Sequence, residues 1–492
     1  MKLIRICSPL MTSVFVLTNG PLAAADFGPS YSPMVRDVNT SLTIPFAEEG
    51  WPELLSETGA FKSLRTLEPE TGILPYEPNL SFWSDYAQKS RWFYVPVGST
   101  MGYSENGNWQ FPGGSVWIKH FDMEVIRGDP RRKKKIETRF LVKNDFTIYG
   151  VSYRWNEEGT DATLVGQDGV SFDLSLFDGE DPITQTWSIP SRSDCLACHT
   201  STAGFTLSFN TRQLNREIDI DSSLQNFLGY LSGSGYLDTE LENPHTLPYF
   251  ARPDDPSASL DFRARSYLAV NCVSCHQPGG TESDSFDARP QRALEFTNMI
   301  GGDPSIDNGD DTLRLIVRGD ADKSLIYLRM LAQAGFDRMP AIATSEIDPI
   351  GSELIRNWIG NGLKDHQFYS EWREAVFGEV ADTDGVPEND PDFDGDTNLA
   401  EFLNQTDPLS GVDRSSLQIA HQNGSLRIIF DGGQFADYQV ETSPDLDNWQ
   451  PLSEEAGGML TVPEGGESIE LVLQPEGLPV LNQFFRVTAK QR

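Results

Sequence analysis

Residues 190–199 read PSRSDCLACH and residues 261–276 read DFRARSYLAVNCVSCH. In the second stretch Phe262, Tyr267 and Leu268 recur at helical spacing, so an amphipathic helix is expected whose end delivers Cys272. In the first, Pro190 argues against a preceding helix, and an extended segment is expected to lead into the motif. Both stretches close on the same pattern, Cys-x-x-Cys-His: Cys195, Cys198 and His199, then Cys272, Cys275 and His276.

Of the five cysteines, Cys7 lies in the N-terminal stretch expected to be removed, and the other four all belong to these motifs. None is left for a disulfide, although exported proteins normally use cysteine that way. Two thiols three positions apart on a curled backbone reach the two vinyl groups of one haem, and the following histidine places an imidazole under the iron. Paired Cys-x-x-Cys segments also suit zinc, and a single one suits a thioredoxin-like site. The chain has only six histidines, so finding two at the same offset after both pairs points to two covalent c-type haems, with His199 and His276 on iron.

From Asp261 onward the chain resembles a class I cytochrome c. The residues that carry the resemblance are the helix to Asn271, the turn Gln277-Pro278-Gly279-Gly280, the loop Arg338-Met339-Pro340, and SELIRNWIG at 352–360 with Leu354, Ile355, Trp358 and Ile359 on one side. The resemblance implies an all-α domain over 261–370, with Met339 as the distal ligand to the iron of His276, a pairing that tends to raise the reduction potential. Met330 reads as core and Trp358 as packing.

The first motif has no such loop. Thr200 to Glu217 contains no methionine and none follows until Met299, so a distal ligand has to come from elsewhere. His120 is the foremost candidate, with His245 and Met123 as alternatives and an open or water-bound iron as the remaining one. A six-coordinate iron passes electrons, whereas an open one binds peroxide or another small molecule.

Between residues 70 and 190, stretches such as RWFYVPV at 91–97 and IYGVSY at 148–153 alternate or are rich in β-branched and aromatic residues. An antiparallel sandwich cradling the first haem is expected. The runs GILPYEPN at 72–79, FWSDYA at 82–87, ETRF at 137–140, YRWN at 153–156, PSRS at 190–193 and NTRQLN at 210–215 resemble a bacterial family of exported dihaem proteins. Some members are fused to, or encoded near, PQQ-dependent sugar dehydrogenases. The resemblance spans about residues 50–365 and implies two haems, an electron-accepting role and a separate dehydrogenase as redox partner.

Asp390, Asp392, Asp394, Asp396, Asn398 and Glu401 flank or follow Gly395 in the register of an EF-hand loop, with oxygen ligands at positions 1, 3, 5, 9 and 12 and glycine at 6. Calcium is expected there, with Asp382-Thr383-Asp384-Gly385 as a partial second copy. Beyond Gly411 the chain turns β-rich, and Tyr438–Ser443 through Trp449 resembles small immunoglobulin-like modules.

Lysine and arginine number 38 against 73 acidic residues, a net charge of −35, which disfavours a nucleic-acid partner. Lys2, Arg5, the short apolar run to Leu17 and Ala23-Ala24-Ala25 read as an export signal, which places the chain in the periplasm or outside the cell. No segment reaches membrane length, so no transmembrane anchor is expected. The fold class expected is multidomain α+β. After a signal peptide (1–25) come a β-rich N-terminal sandwich (40–190), the first haem-binding segment (191–260), an all-α class I cytochrome c domain (261–370), a calcium-binding Asp-rich repeat (381–408) and a C-terminal β-sandwich (412–492). The function expected is electron transfer from a periplasmic dehydrogenase to a respiratory acceptor. A dihaem peroxidase or oxidase, with catalysis at the first haem, is the alternative.

Overall fold

The computed structural model describes residues 36–412 except 46, 221–222, 283–284 and 343, together with Phe15, Val16, Trp449 and the strands beyond 412. The expected signal peptide lies outside the described residues apart from Phe15 and Val16. The chain divides into two compact units, one of residues 29–292 and 296–364, the other built chiefly of residues 365–492.

In the first unit β1 (Leu74–Pro75), β2 (Gln88–Tyr94), β3 (Ser115–Glu124), β4 (Lys133–Lys143), β5 (Ile148–Trp155) and β6 (Ala162–Leu164) form one antiparallel sheet in chain order. Alternation sends Trp92, Val116, Ile118, Phe140 and Val151 to one face, where Trp51, Leu55 and Ala60 cover them. Phe93 and Trp117 point to the other face and join Phe209, Phe227 and Leu231. A two-stranded hairpin, β7 (Val170–Asp178) and β8 (Asp181–Ile189), packs Leu174, Leu176 and Trp187 against Phe121, Met123 and Ile136.

The N-terminal sandwich expected from the strand pattern is therefore corrected to one six-stranded sheet, against part of which the two-stranded hairpin packs. Its faces are closed by loops and short helices, because the segments before β1 and after β8 carry the apolar residues that a second sheet would have supplied.

The helices of this unit are α1 (Arg192–Cys198), α2 (Thr211–Leu214), α3 (Phe227–Gly233), α4 (Leu260–Cys272), α5 (Leu325–Met330) and α6 (Pro349–Asn357). Ser259 caps α4 by accepting from the Phe262 amide at 3.1 Å. Asp348 caps α6 ahead of Pro349, whose ring is preset for a first turn. Trp358, fully buried, donates its indole N–H to Asp261 at 2.9 Å and so fastens the end of α6 to the start of α4.

The all-α class I cytochrome c domain expected over 261–370 does not form. Between Leu260 and Lys364 the described residues hold three α-helices and a π-helical turn, Trp358–Gly362, and most of the remainder is loop. The stretches QPGGTESDS and GGDPSIDNGDD are made of residues that favour turns over helix. The second of them, residues 301–311, is flanked by the bridges of Ile300 to Ile316 and Arg314 to Ser324.

The second unit holds α7 (Tyr369–Phe377) and α8 (Asn398–Asn404), then β9 (Leu417–Gln422), β10 (Ser425–Asp431), β11 (Ala436–Ser443), β12 (Gln450–Pro451), β13 (Met459–Thr461), β14 (Ser468–Leu473) and β15 (Phe484–Gln491). Strands β9, β10 and β14 make one sheet; β11 makes another with β12, β13 and β15. Across the described residues there are eight α-helices, the longest of 13 residues, so strand and loop dominate. No helix among the described residues is long and apolar enough to cross a membrane.

The loop Phe82–Tyr86 joins distant parts of the first unit. The Asp85 carboxylate, 4% exposed, accepts from Ser345 N at 2.7 Å, Ser345 Oγ at 2.9 Å and Glu346 N at 3.0 Å. Trp83 N donates to Asn271 Oδ1 at 2.9 Å, and its indole N–H donates to Glu346 O at 3.0 Å. Replacing Asp85 by alanine strips a buried charged acceptor from three donors and is expected to cost about 3 kcal/mol. A lowered urea midpoint would register the loss; an unchanged midpoint would show that the loop does not hold these segments together.

Candidate functional site

The first motif rides on α1. Strand β8 leads to Pro190, as an extended approach requires, but the motif itself is helical: Ser191 and Asp194 form a reciprocal capping box, and both cysteines lie on the seven-residue helix that follows. Cys195 then sits directly over β5. A Cβ added at Gly150 would come within 3.3 Å of Cys195 Sγ, so glycine leaves room for the sulfur against the sheet.

Cys195, Cys198 and His199 line a cavity of about 160 Å³ whose other wall includes Trp117, Lys119, Arg139 and Leu141. His199 Nδ1 lies 2.5 Å from the Phe205 carbonyl. A carbonyl only accepts, so Nδ1 carries the proton and Nε2 keeps its lone pair. Burial pushes the imidazole down to about 4, which keeps it neutral at pH 7.

The second motif begins at the end of α4. Cys272, Cys275, His276, Met330 and Met339 line one cavity of about 420 Å³. His276 Nδ1 is 2.6 Å from Ser285 Oγ, whose own proton goes to Glu282 O at 3.1 Å, so this nitrogen also donates and Nε2 is again the free one. The ring stacks on Phe286 with centroids 4.2 Å apart, and burial pushes it down to about 4. Met330, read from the sequence as core, shares this cavity with Met339.

The two cavities adjoin, because Phe82, Cys198 and Ile342 line both. Cys198 and Cys275 interact across the shared wall, which raises the Cys198 thiol and lowers that of Cys275. Burial pushes Cys272 up to about 12. All four are free thiols. They do not converge as a zinc site would: among the described residues the only group of three or more such ligands close enough to share an ion is Asp390, Asp392 and Asp394. Each motif instead pairs two thiols and a neutral, backbone- or hydroxyl-oriented imidazole along one cavity, a donor set that fits covalent haem.

None of the distal ligands considered for the first site reaches its cavity. His120 is fully buried on the opposite face of the sheet, with Nδ1 2.8 Å from Thr138 Oγ1, Nε2 3.2 Å from Asp122 Oδ1 and its ring against Trp155. Alternation is the reason, since Lys119 faces the cavity and its neighbour must face away. Met123 packs among Phe121, Leu174 and Trp187, and His245 is largely exposed beside Glu217.

What the sequence reading missed is the charge on the cavity wall. Arg91, Lys119 and Arg139 are direct cross-strand neighbours on β2, β3 and β4, in one row with Ser152 of β5. Arg139 pairs with the buried Glu137, which also accepts from the Trp187 indole at 3.0 Å. Lys89 nearby donates to Phe82 O at 2.8 Å, and burial lowers it to about 7. Burial, then Arg91, Lys89 and Arg139, hold Lys119 well below the ordinary lysine range. The sequence signal was the strict alternation in 115–121, which separates Lys119 from His120.

In the second unit, carboxylate oxygens of Asp390, Asp392 and Asp394 lie within 4.8 Å of one another. Asp396 follows Gly395, and its amide donates to Asp394 Oδ1 at 2.8 Å. Glu401, fully buried on α8, has no hydrogen-bond partner on either carboxylate oxygen, and neither do Asn398 Oδ1 and Asp392 Oδ2. Burial and the surrounding aspartates push Glu401 up to about 9. Buried oxygens without donors are costly, and a cation is the partner that satisfies several at once.

No protein-family model, curated protein or solved structure matches the chain.

Proposed function

We propose that the chain is an exported dihaem c-type cytochrome that carries electrons between a separate dehydrogenase and a respiratory acceptor. The observation that carries this reading is the pair of Cys-x-x-Cys-His segments opening onto adjoining cavities, with Cys198 on both. A haem bound at each motif supplies one-electron redox chemistry.

The chain's own residues do the rest. Cys195 with Cys198, and Cys272 with Cys275, would form the thioether attachments, while His199 and His276 present neutral Nε2 atoms as ligands. Met339 lies on the cavity of His276 and is the proposed second ligand there. Phe82 and Ile342 line both cavities and stand where the two sites meet. The resemblance to exported dihaem proteins points to a PQQ-dependent dehydrogenase as donor, and the net charge of −35 argues against nucleic acid.

The dihaem peroxidase reading draws on one observation, that no histidine or methionine besides His199 lines the first cavity. An iron left open there would bind peroxide. The two readings separate on addition of peroxide to the oxidised holoprotein: unchanged spectra support electron transfer, and a new high-valent signal supports the peroxidase.

The Asp390–Glu401 loop is proposed to hold calcium through Asp390, Asp392, Asp394, Asp396, Asn398 and Glu401, as a structural brace with no part in redox chemistry.

Two outcomes are expected. Protein made with the cytochrome c maturation machinery will carry two covalent haems by mass, and the Cys195→Ala/Cys198→Ala variant will carry one; an unmodified chain would sink the proposal. Calorimetric titration will give one strong calcium site, and Glu401→Gln, which loses a charged ligand, will weaken it by about 1.4 kcal/mol or more, equivalent to tenfold. Equal affinity in the two proteins would exclude Glu401 as a ligand.

A further inference from the structure

The first cavity is lined by few groups able to bind a metal, and they can be taken in turn. Arg91 and Arg139 carry guanidinium groups that have no lone pair to give. Gln213 is spent on the backbone, donating to Leu80 O at 2.9 Å and accepting from Leu80 N at 3.0 Å. Asp194 is held in the cap of α1. Tyr76 shares a hydrogen bond with Ser208 at 3.2 Å, and burial raises its phenol above the ordinary value, so it stays protonated.

Lys119 differs from all of these. Its side chain is on the cavity wall, and its Nζ has no hydrogen bond or ion pair among the described residues; the contact recorded for it is with the Phe121 ring, 4.8 Å from the centroid. It stands between Arg91 and Arg139 in the sheet register, so a proton on its amine would be repelled from both sides. A half-buried lysine between two arginines, with no carboxylate within ion-pair distance, is stable when it gives up that proton, although Glu137 beyond that distance opposes the loss, and a neutral amine is a nitrogen donor.

We infer that Lys119 Nζ is the second axial ligand to the iron held by His199, which would make the first site a histidine–lysine haem. This inference rests on the dihaem reading above. It gives that site a closed coordination sphere by a residue from the sheet, while His199 comes from the helix bearing the motif. The lysine replaces the methionine that the segment after Cys198 lacks. It also accounts for an unpaired lysine kept between two arginines, where an apolar residue would pack without electrostatic cost.

The test uses full-length holoprotein with two covalent haems, read by optical absorption and electron paramagnetic resonance in the oxidised state. Two low-spin haems are expected in the natural chain. Lys119→Ala and Lys119→Arg should each convert one haem of the two to high spin and leave the other unchanged, which also serves as the internal check on folding. Arginine keeps the charge and most of the bulk, so Lys119→Arg carries the test if the alanine variant does not accumulate. A high-spin haem already present in the natural chain, or two low-spin haems in Lys119→Arg, would overturn the assignment while leaving the dihaem reading intact. Absence of covalent haem from the natural chain would overturn both.

Discussion

The Asp85 carboxylate is buried and meets two backbone amides and one hydroxyl that lie 260 residues further along the chain. A carboxylate in that position without donors would cost several kcal/mol, so the loop and the Ser345–Glu346 segment are held as a pair. Asp85 and Tyr86 both take left-handed backbone angles, φ 50° and 65°, a conformation that costs a non-glycine residue about 1 kcal/mol or more. The three hydrogen bonds offset that strain. What they fix is the place of Phe82, which lines both cavities, and of Trp83, which bonds to Asn271 one residue before the second motif. The adjacency of the two motifs is thus supported by a contact outside both, besides the direct meeting of Cys198 and Cys275.

A second constraint is the charge on the sheet face. Arg91 and Arg139 flank Lys119 in one cross-strand row, and of the three only Arg139 has a carboxylate within ion-pair distance, that of Glu137. In a chain of net charge −35 this is a local reversal of sign, placed where solvent screening is weak. An electron acceptor beside such a row is stabilised in its reduced form, because the added electron is drawn to the uncompensated cations. If the proposed haem is bound there, the basic wall would bear on its reduction potential, whereas the net acidic charge bears on encounters with other molecules.

The motifs stand out in the sequence because the chemistry they would support is local. Cys-x-x-Cys-His needs only a spacing of five residues, and the calcium loop only one of twelve. His120 was misplaced for a different reason. GSVWIKHFDMEV alternates plainly, so the sequence separates Lys119 from His120, but both faces of β3 are buried and composition does not say which one meets the cavity. The sandwich failed on similar grounds: strand patterns reveal strands, yet the layer covering this sheet is made of loops and short helices whose apolar residues have no regular period. In the stretch after Cys275 the turn-forming residues were visible in the sequence, and they outweighed the resemblance that had implied an all-α domain.

The acidic loop links local chemistry to the architecture of the second unit. Asn398 gives its amide hydrogens to Asp384 O at 2.6 Å and Val386 O at 2.8 Å, which ties the partial first repeat to the complete second one and leaves Oδ1 without a donor. Glu401 lies one helical turn further along α8. The same helix ends beneath β11, where Tyr438 donates to Leu403 O at 3.2 Å and contacts Asn404 Oδ1 at 2.9 Å. Helix α8 is thus fixed to the loop at one end and to a sheet at the other. A cation at the proposed site would give the buried Glu401 carboxylate and Asn398 Oδ1 the partner that both lack. A cation held by the loop would therefore act on a helix whose other end is already tied to β11 through Tyr438.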